Sequence, residues 1–283
     1  MTRRIALAAA LALALAPQTF AGAPWLKTVA EAQKVAKEKN QLILVDMFAE
    51  WCGWCHRFER EVFPSEVFQK ATEDIVLLRL DTEDRKEGTE FQRKYQVTSL
   101  PTFLLLTPDL TLAGAIRGYA PPAQFVKMLG EARTKHEAFE KRLKNEPAMA
   151  KDYPGRLELA KELVTRNAYD KSVARLKALT TEKGVPGSIR DEAFYQLAFV
   201  YALQNKFADA QKTIKALTAV SKRGDAVERA KLLAGQIYVA QGNLAGAVNE
   251  LRAFKKSYPN SPHVHTVDAV LPDIERRLTS ASN

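Results

Sequence analysis

Cys52 and Cys55 are the residues of this 283-residue chain whose type and spacing best suit them for chemistry. They are its only cysteines, and they closely follow an apolar run that ends at Val45. If a helix begins at Cys52, the two thiols lie one turn apart on it. Because no other thiol is available for a structural crosslink, a CxxC after a buried strand indicates a redox pair.

The spacing also predicts different roles for the two sulfurs. At the start of a helix, unpaired backbone N–H groups and the positive end of the helix dipole stabilise the thiolate of Cys52. We therefore expect Cys52 to be exposed and to attack a substrate disulfide. Cys55, one turn deeper and shielded, would then resolve the mixed disulfide.

Two other interpretations of the cysteines are open, a metal site and a pair of core residues. A zinc site needs further ligands at suitable spacing. His56 is adjacent to Cys55, but the other three histidines lie far along the chain at His136, His263 and His265. We predict no metal and keep a copper or zinc site formed by Cys52, Cys55 and His56 as an alternative.

Asp46 is the one acidic residue within the apolar segment 42–48. Burial away from water raises the pKa of a carboxyl group. Such a group is tuned to accept the proton of Cys55 as that thiol becomes a nucleophile. The alternative is an ordinary solvated aspartate at the end of a strand.

Residues 42–58 resemble the active-site strand and helix of thioredoxin-fold proteins, with the pattern Asp46-x-Phe48-Ala49-x-Trp51-Cys52-Gly53-x-Cys55 intact. The segment Thr98-Ser99-Leu100-Pro101-Thr102-Phe103 matches a second mark of that family, a proline that is cis and faces the cysteine pair. The resemblance covers about residues 25–135. It implies an α/β domain with a central mixed sheet flanked by helices.

The resemblance also implies residues around the cysteines. Trp51, Trp54, Leu100 and Pro101 are the expected substrate-binding residues. Arg79 and Gly118 are the expected supporting residues, and each has a plainer alternative. Arg79 either pairs with Asp46 or leans to the surface; Gly118 either lets backbone approach the site closely or belongs to an ordinary loop.

The direction of electron flow is also implied by the resemblance. Thioredoxins that act as reductants have Asp at the position of Asp46, which favours a protein-disulfide reductase. The Trp-Cys-Gly-Trp-Cys form resembles exported thioredoxin-like proteins related to the reducing domains of periplasmic electron-transfer systems. We expect no cofactor beyond the Cys52–Cys55 dithiol, with protein disulfides and a redox partner protein as its partners.

Residues 1–21 have the shape of a secretory signal, with Arg3 and Arg4 before a short apolar stretch. They predict export, to a bacterial periplasm, with no membrane span after cleavage; an uncleaved anchor is the alternative. Cleavage would lower the net charge from +9 to +7. Interspersed Lys and Glu indicate a solvated surface rather than nucleic-acid binding.

The expected elements of residues 22–138 follow from apolar periodicity and turn residues. They are a helix over 25–39, a strand over 42–48, a helix from 52 to about 63, a short helix capped by Ser65, a strand over 75–81, a short helix opened by Gly88, a hairpin of strands 102–107 and 111–117, and a helix over 125–143.

Residues 139–283 show a different pattern, which recurs about every 37 residues. It resembles tetratricopeptide repeats, with Asn167, Asn205 and Gly242 at the turns between paired helices. Ser172 replaces the alanine of the other copies, and the spacing exceeds the usual 34, which predicts longer loops. A last helix over 267–278 would cap the array.

The repeats predict a protein ligand on their concave face, and a purely structural or dimerisation role is the alternative. The whole chain is thus expected to be an exported thiol–disulfide oxidoreductase with repeats that recruit a partner. The competing hypothesis is a periplasmic adaptor in which the thioredoxin-like domain is mainly a binding platform.

Overall fold

The computed structural model of the protein describes residues 24–280. An α/β segment comes first. Its helices and strands are α1 (Val29–Lys39), β1 (Leu42–Phe48), α2 (Gly53–Glu61), α3 (Glu66–Ala71), β2 (Ile75–Asp81), α4 (Glu87–Lys94), β3 (Thr102–Leu106), β4 (Leu112–Arg117) and α5 (Pro122–Lys144).

The four strands form one mixed sheet in the order β2-β1-β3-β4. β1 and β2 pair in parallel, and their register places Asp46 opposite Arg79. Both strands are almost continuously buried, as expected for strands that are covered on both faces. The five residues 107–111 join β3 to β4. A connection of this length can join antiparallel neighbours but is too short for the crossover that parallel strands require. The predicted α/β fold is confirmed.

The start of the first helix was predicted wrongly. Helix α1 begins at Val29, because Thr28 is extended and its hydroxyl accepts the Glu31 N–H as an N-cap. The preceding segment pairs with the sheet instead: Leu26 forms a parallel bridge with Leu78. The apolar spacing that suggested a helix from Trp25 therefore serves a short strand-like contact before the cap.

An aromatic cluster holds α2 against the rest of its unit. The fully buried Phe58 ring lies 4.7 Å from the ring of Phe103 and 5.2 Å from that of Phe125. The Tyr119 ring meets Phe58 edge-on at 5.3 Å. Such pairs contribute stabilisation beyond the burial of their area. The helix that carries the cysteines is therefore fixed from one side by several rings.

Contacts divide the described chain into two compact units. The first contains residues 24–103 and 116–129, and the second contains residues 104–115 and 130–280. The predicted domain boundary at 138/139 falls inside α5 and stays a prediction. Across residues 24–280, no helix combines the length and the apolar character needed to cross a bilayer. The predicted signal, residues 1–21, lies outside the described residues.

Up to residue 280, where the description ends, seven helices follow α5 after a 3₁₀ turn at Glu146–Met149. They are α6 (Tyr153–Thr165), α7 (Tyr169–Thr181), α8 (Gly187–Leu203), α9 (Phe207–Val220), α10 (Asp225–Ala240), α11 (Leu244–Ser257) and α12 (Val264–Ser280). Asn167, Asn205 and Gly242 all have positive φ in the turns within the pairs. Asn and Gly tolerate this left-handed backbone best, so the predicted turn residues are confirmed.

The excess repeat length is only partly explained by loops. The helices α7, α9 and α11 begin 38 and then 37 residues apart. The connections between pairs, residues 182–186 and 221–224, are short. Helices α8 and α10 have 17 and 16 residues, against 13 in α6 and α7. The prediction that loops carry the extra length was therefore wrong in part, because long first helices take up residues.

Within the second unit, α6 ends against the β3–β4 hairpin. Arg166, just after α6, donates hydrogen bonds to the carbonyls of Leu112 and Ala113 at 3.1 and 3.3 Å. The Leu112 N–H in turn donates to the Arg166 carbonyl at 2.8 Å. Because removing the repeats would leave these strand groups unpaired, functional tests are better made by substitutions in the full chain.

Candidate active site

Cys52 and Cys55 are joined by a disulfide at the start of α2. Cys52 is the N-cap residue, with extended backbone, and its carbonyl accepts the N–H groups of Cys55 and His56. Its sulfur also accepts the Cys55 N–H at 3.2 Å. The helix entrance therefore directs N–H groups at Cys52, the arrangement that stabilises a thiolate there.

The expected exposure of Cys52 is not observed. Cys52 is 4% exposed and Cys55 is 2% exposed. The disulfide holds the first sulfur against α2, and the pair forms a buried cluster with Ala49, against which Phe48 and Leu100 pack. The exposed surface beside the pair belongs to the two indoles, Trp51 at 68% and Trp54 at 54%. The accessible surface at this site is therefore mainly aromatic, with little sulfur exposed.

Asp46 is buried at 2% exposure in the middle of the apolar strand. Burial is the main reason why its pKa is raised to about 7, and nearby Glu59 raises it further. Arg79 and Lys27 oppose the shift. Arg79 Nε lies 3.2 Å from Asp46 Oδ2 but is not aligned to donate, and Oδ1 has no hydrogen-bond partner among residues 24–280. The alternative of a solvated Asp46 is therefore wrong.

Arg79 is shared between two carboxylates. Besides its approach to Asp46, its Nη2 atom donates to Glu59 on α2, and its guanidinium lies 3.9 Å from the centre of the Phe48 ring. The guanidinium is thus placed between sheet and helix. Glu59 follows Cys55 by four residues and lies on the same side of α2. This contact places the Asp46–Arg79 pair on the face of the sheet that the cysteine helix covers.

The segment before β3 meets the expectations for its backbone. The Leu100–Pro101 peptide bond is cis. Gly118 has φ of +80° and donates its N–H to the Pro101 carbonyl at 2.9 Å. A Cβ at Gly118 would meet no atom within 4 Å, so the turn conformation, rather than close approach of backbone, requires glycine there.

Two further side chains lie beside the cysteines, those of Trp51 and His56. Trp51 donates from Nε1 to Glu83 at 2.8 Å. His56 Nε2 lies 2.8 Å from the Glu50 carbonyl oxygen and Nδ1 lies 3.7 Å from Glu59. A metal site would need both thiolates and a ring nitrogen of His56. In the disulfide form the two sulfurs are bonded to each other and are not thiolates, so only the reduced protein could bind a metal through them.

Sequence reasoning missed Glu59, and also Arg57, Glu61 and Tyr119. The signal for Glu59 was available, since a carboxylate one turn after Cys55 faces the same way as that thiol. Arg57 and Glu61 are four residues apart and pair along α2 at 2.9 Å. Tyr119 gave no comparable signal, because its contact with α2 depends on the tertiary fold.

Comparison with known protein families agrees with this geometry. Residues 29–133 match the family model of the thioredoxin-like domain, and residues 229–261 match a tetratricopeptide repeat model. Residues 29–133 therefore form a thioredoxin-like domain. A helical region of tetratricopeptide-repeat type follows it.

Similar individual proteins include two curated thiol:disulfide interchange proteins named DsbD. The one from Pasteurella multocida strain Pm70 is 30% identical over 105 residues, which cover 36% of this chain and 18% of that protein. The one from Pseudomonas fluorescens is 36% identical over 88 residues, which cover 30% of this chain and 15% of that protein. The chain thus spans less than a fifth of the length of either.

Among solved structures, a thioredoxin from Thermus thermophilus is 26% identical, with a TM-score of 0.36. The match covers 38% of this chain and 86% of that chain.

Proposed function

We propose that the chain is an exported protein-disulfide reductase that works through Cys52 and Cys55. The observation that carries the proposal is the Cys52–Cys55 disulfide at the N-terminus of α2, in a unit that also buries Asp46. The domain match and the similarity to thiol:disulfide interchange proteins support this class of activity. Direction, substrate and partners are part of the proposal.

The reaction begins from the dithiol. The Cys52 thiolate attacks one sulfur of a substrate disulfide, forms a mixed disulfide and releases the other substrate sulfur as a thiolate. Cys55 then gives its proton to Asp46 and attacks Cys52 Sγ, which releases the second substrate thiolate. Two electrons pass to the substrate, and the Cys52–Cys55 disulfide of this structure is the product. A dithiol of a redox partner protein must reduce it again.

The substrate segment is proposed to bind beside the cis peptide. Within residues 24–280, the N–H and C=O of Leu100 have no hydrogen-bond partner. An extended polypeptide can therefore pair with Leu100 as an added strand. Trp51 and Trp54 would pack on its side chains.

The Cys55→Ser variant tests the order of the two sulfurs. With Cys55 absent, the mixed disulfide on Cys52 is not resolved, so we expect the variant to accumulate as a covalent adduct with a protein disulfide such as insulin. Cys52→Ser is the matched control and should form no adduct. Mass spectrometry measures both, and adducts on Cys55 in the control would contradict the assignment.

The reduction potential of the pair tests the direction. Known values run from about −270 mV for thioredoxin to about −120 mV for a strong oxidant. We expect a value near the thioredoxin end, measured against glutathione or dithiothreitol buffers. A value near −120 mV would overturn the reductase assignment and leave an oxidase of the same chemistry.

Burial of Cys52 at 4% exposure favours a second candidate, an adaptor in which the domain is a binding platform and the repeats do the work. Helices α6, α8 and α10 adjoin one another, as in arrays that present a continuous face to a partner. Cellular function that survives Cys52→Ser in the full chain would favour the adaptor. Its loss favours the reductase.

Export is proposed from the form of residues 1–21. N-terminal sequencing of the protein recovered from the periplasm of a bacterial host tests it. We expect a mature chain that begins at or near Gly22.

A further inference from the structure

The exposed indole of Trp54, beside the redox disulfide, packs against the guanidinium of Arg57 and the ring of Tyr119. Trp54, the residue before Cys55, is 54% exposed, and its ring centre lies 5.3 Å from that of Tyr119. The Arg57 guanidinium lies 5.5 Å from the Trp54 ring centre and 4.5 Å from the Tyr119 ring centre. Each contact is of a kind that stabilises aromatic side chains at a surface.

Glu61 connects this cation to the second ring. It accepts a hydrogen bond from Arg57 Nε at 2.9 Å and another from the Tyr119 hydroxyl. Tyr119 is itself anchored, because its ring meets the buried Phe58 edge-on. The group that we call the Trp54 support therefore consists of Arg57, Glu61 and Tyr119.

The Trp54 support joins two segments that lie far apart in sequence. Arg57 and Glu61 are on α2, whereas Tyr119 follows Gly118, whose N–H is bonded to the Pro101 carbonyl. It thus links the helix that carries the cysteines to the loop next to the cis-Pro101 segment. An indole with half of its surface in water would otherwise sample several rotamers, which costs binding free energy when a partner must order it.

We propose that Arg57 and Tyr119 are positioning residues that hold Trp54 as an apolar wall of the substrate cleft, and that this wall selects polypeptide disulfides with an apolar residue next to the cysteine. The inference rests on the proposed thiol–disulfide exchange and adds its substrate class. Cys52 has little exposed surface of its own, so the neighbouring indole is well placed to contribute to substrate binding. A small disulfide that does not extend past Cys52 would not contact this wall, so its rate of reaction should not depend on the position of Trp54.

The test uses the full-length protein, reduced beforehand, and three disulfide probes. Two are synthetic peptides that differ only in Leu or Ser beside the disulfide-bonded cysteine, and the third is 5,5′-dithiobis(2-nitrobenzoic acid). The variants are Arg57→Met, Tyr119→Phe and, as a matched control, Arg60→Met. Arg60 is an exposed arginine of the same helix, so its removal changes the charge equally.

We expect wild type to react faster with the Leu peptide than with the Ser peptide. Arg57→Met should reduce that preference by about threefold to tenfold, and Tyr119→Phe should reduce it less because the ring remains. The rate with the small disulfide and the reduction potential should stay within about twofold and about 10 mV of wild type, respectively. Arg60→Met should keep the full preference.

Three results would overturn the inference. The first is an unchanged Leu/Ser preference in both Arg57→Met and Tyr119→Phe. The second is an equal loss with the small disulfide, which would place the effect at the sulfurs. The third is an equal loss in Arg60→Met, which would make it an effect of charge. Failure of the proposed function itself looks different, because wild type would then reduce neither peptide while its thiols still reacted with the small disulfide.

Discussion

The thioredoxin-like domain and the helical repeats differ in the kind of polar residue that they bury most deeply. The domain buries an ionisable carboxyl group, Asp46, and leaves one of its oxygens without a hydrogen bond among the described residues. Along α6–α12, the polar residues buried below a tenth of their surface are Ser172 and Thr213, both neutral. Each hydroxyl donates to a helix carbonyl, at 2.8 and 2.7 Å.

We attribute this difference to the roles of the two regions, because the carboxyl takes part in the proposed reaction whereas the hydroxyls only pack between helices. A buried carboxyl without full hydrogen bonding lowers stability, and proteins tolerate it where the group is needed in its raised-pKa state. The repeats show no such cost at these two positions, because a small residue is all that helix packing requires there. The predictions that follow change one feature of each region, from the largest expected effect to the smallest.

The largest effect is expected for Asp46→Asn. The variant cannot accept the Cys55 proton, so resolution of a mixed disulfide at pH 7 should slow by about a hundredfold. The lifetime of the adduct with a peptide disulfide, followed by mass spectrometry after rapid quenching, measures this. The rate should recover as the pH rises, since hydroxide then removes the proton. An unchanged rate would show that Asp46 does not carry the proton.

The same variant should be more stable than wild type, and only at higher pH. The pKa of Asp46 is raised from 3.8 to about 7 in the folded protein. Well below pH 3.8 the group is protonated whether the chain is folded or not, so its ionisation contributes nothing to stability there. As the pH rises to 7 the unfolded chain ionises first, and the free energy of unfolding falls by up to about 4 kcal/mol. Urea unfolding of the oxidised variant should therefore show a gain at pH 8 that is small at pH 4 and disappears below about pH 3.

Arg79→Met tests whether the pKa of Asp46 sets the pH dependence of resolution. The arginine is the largest influence that lowers the pKa of Asp46, so its removal should raise that pKa above 7. The pH midpoint for resolution of the mixed disulfide should move upward accordingly, by about one unit. Arg85→Met, an exposed arginine of the same domain, is the control and should leave the midpoint in place. A midpoint that moves downward would contradict the assignment.

Local sequence determined most of the domain but not its cross-contacts. The strand bounds at Leu42–Phe48 and Ile75–Asp81 and the cap at Ser65 follow from apolar runs and capping chemistry, which act within a few residues. Sharing of Arg79 between Asp46 and Glu59, and the packing of Tyr119 on α2, depend on segments 20 to 60 residues apart. No local pattern specifies such pairs.

In the repeats, local sequence likewise predicted the turns, but it did not predict the lengths of the helices. Asn167, Asn205 and Gly242 mark their turns, because the left-handed backbone restricts the choice of residue. How the extra residues divide between helices and loops was not predictable, since the N-cap residues of α8 and α10, Pro186 and Gly224, make no side-chain cap that marks the start of either helix.

Two glycines provide the next test of close packing in the repeats. A Cβ at Gly235 in α10 would lie 2.7 Å from Leu251 Cδ2, whereas one at Gly130 in α5 would meet no atom within 4 Å. Alanine favours a helix by about 1 kcal/mol at either position, but overpacking costs about 1–3 kcal/mol. We expect Gly235→Ala to lose about 1 kcal/mol and Gly130→Ala to gain about as much. Thermal unfolding followed by circular dichroism distinguishes them, and equal shifts would mean that Leu251 yields freely.

The smallest effect is expected for Ser172→Ala, within about 0.5 kcal/mol of wild type. Ser172 is fully buried and donates to the Ala160 carbonyl, which lies within α6 and retains its own helical hydrogen bond. Alanine therefore removes a donor without leaving an unpaired acceptor, and it restores the residue of the other two repeats. Ser172→Val, in contrast, adds volume where the helices meet and should lower the free energy of unfolding by about 1–3 kcal/mol. If alanine proved the costlier substitution, the hydroxyl rather than the size of the residue would govern this position, and the contrast with Asp46 would fail.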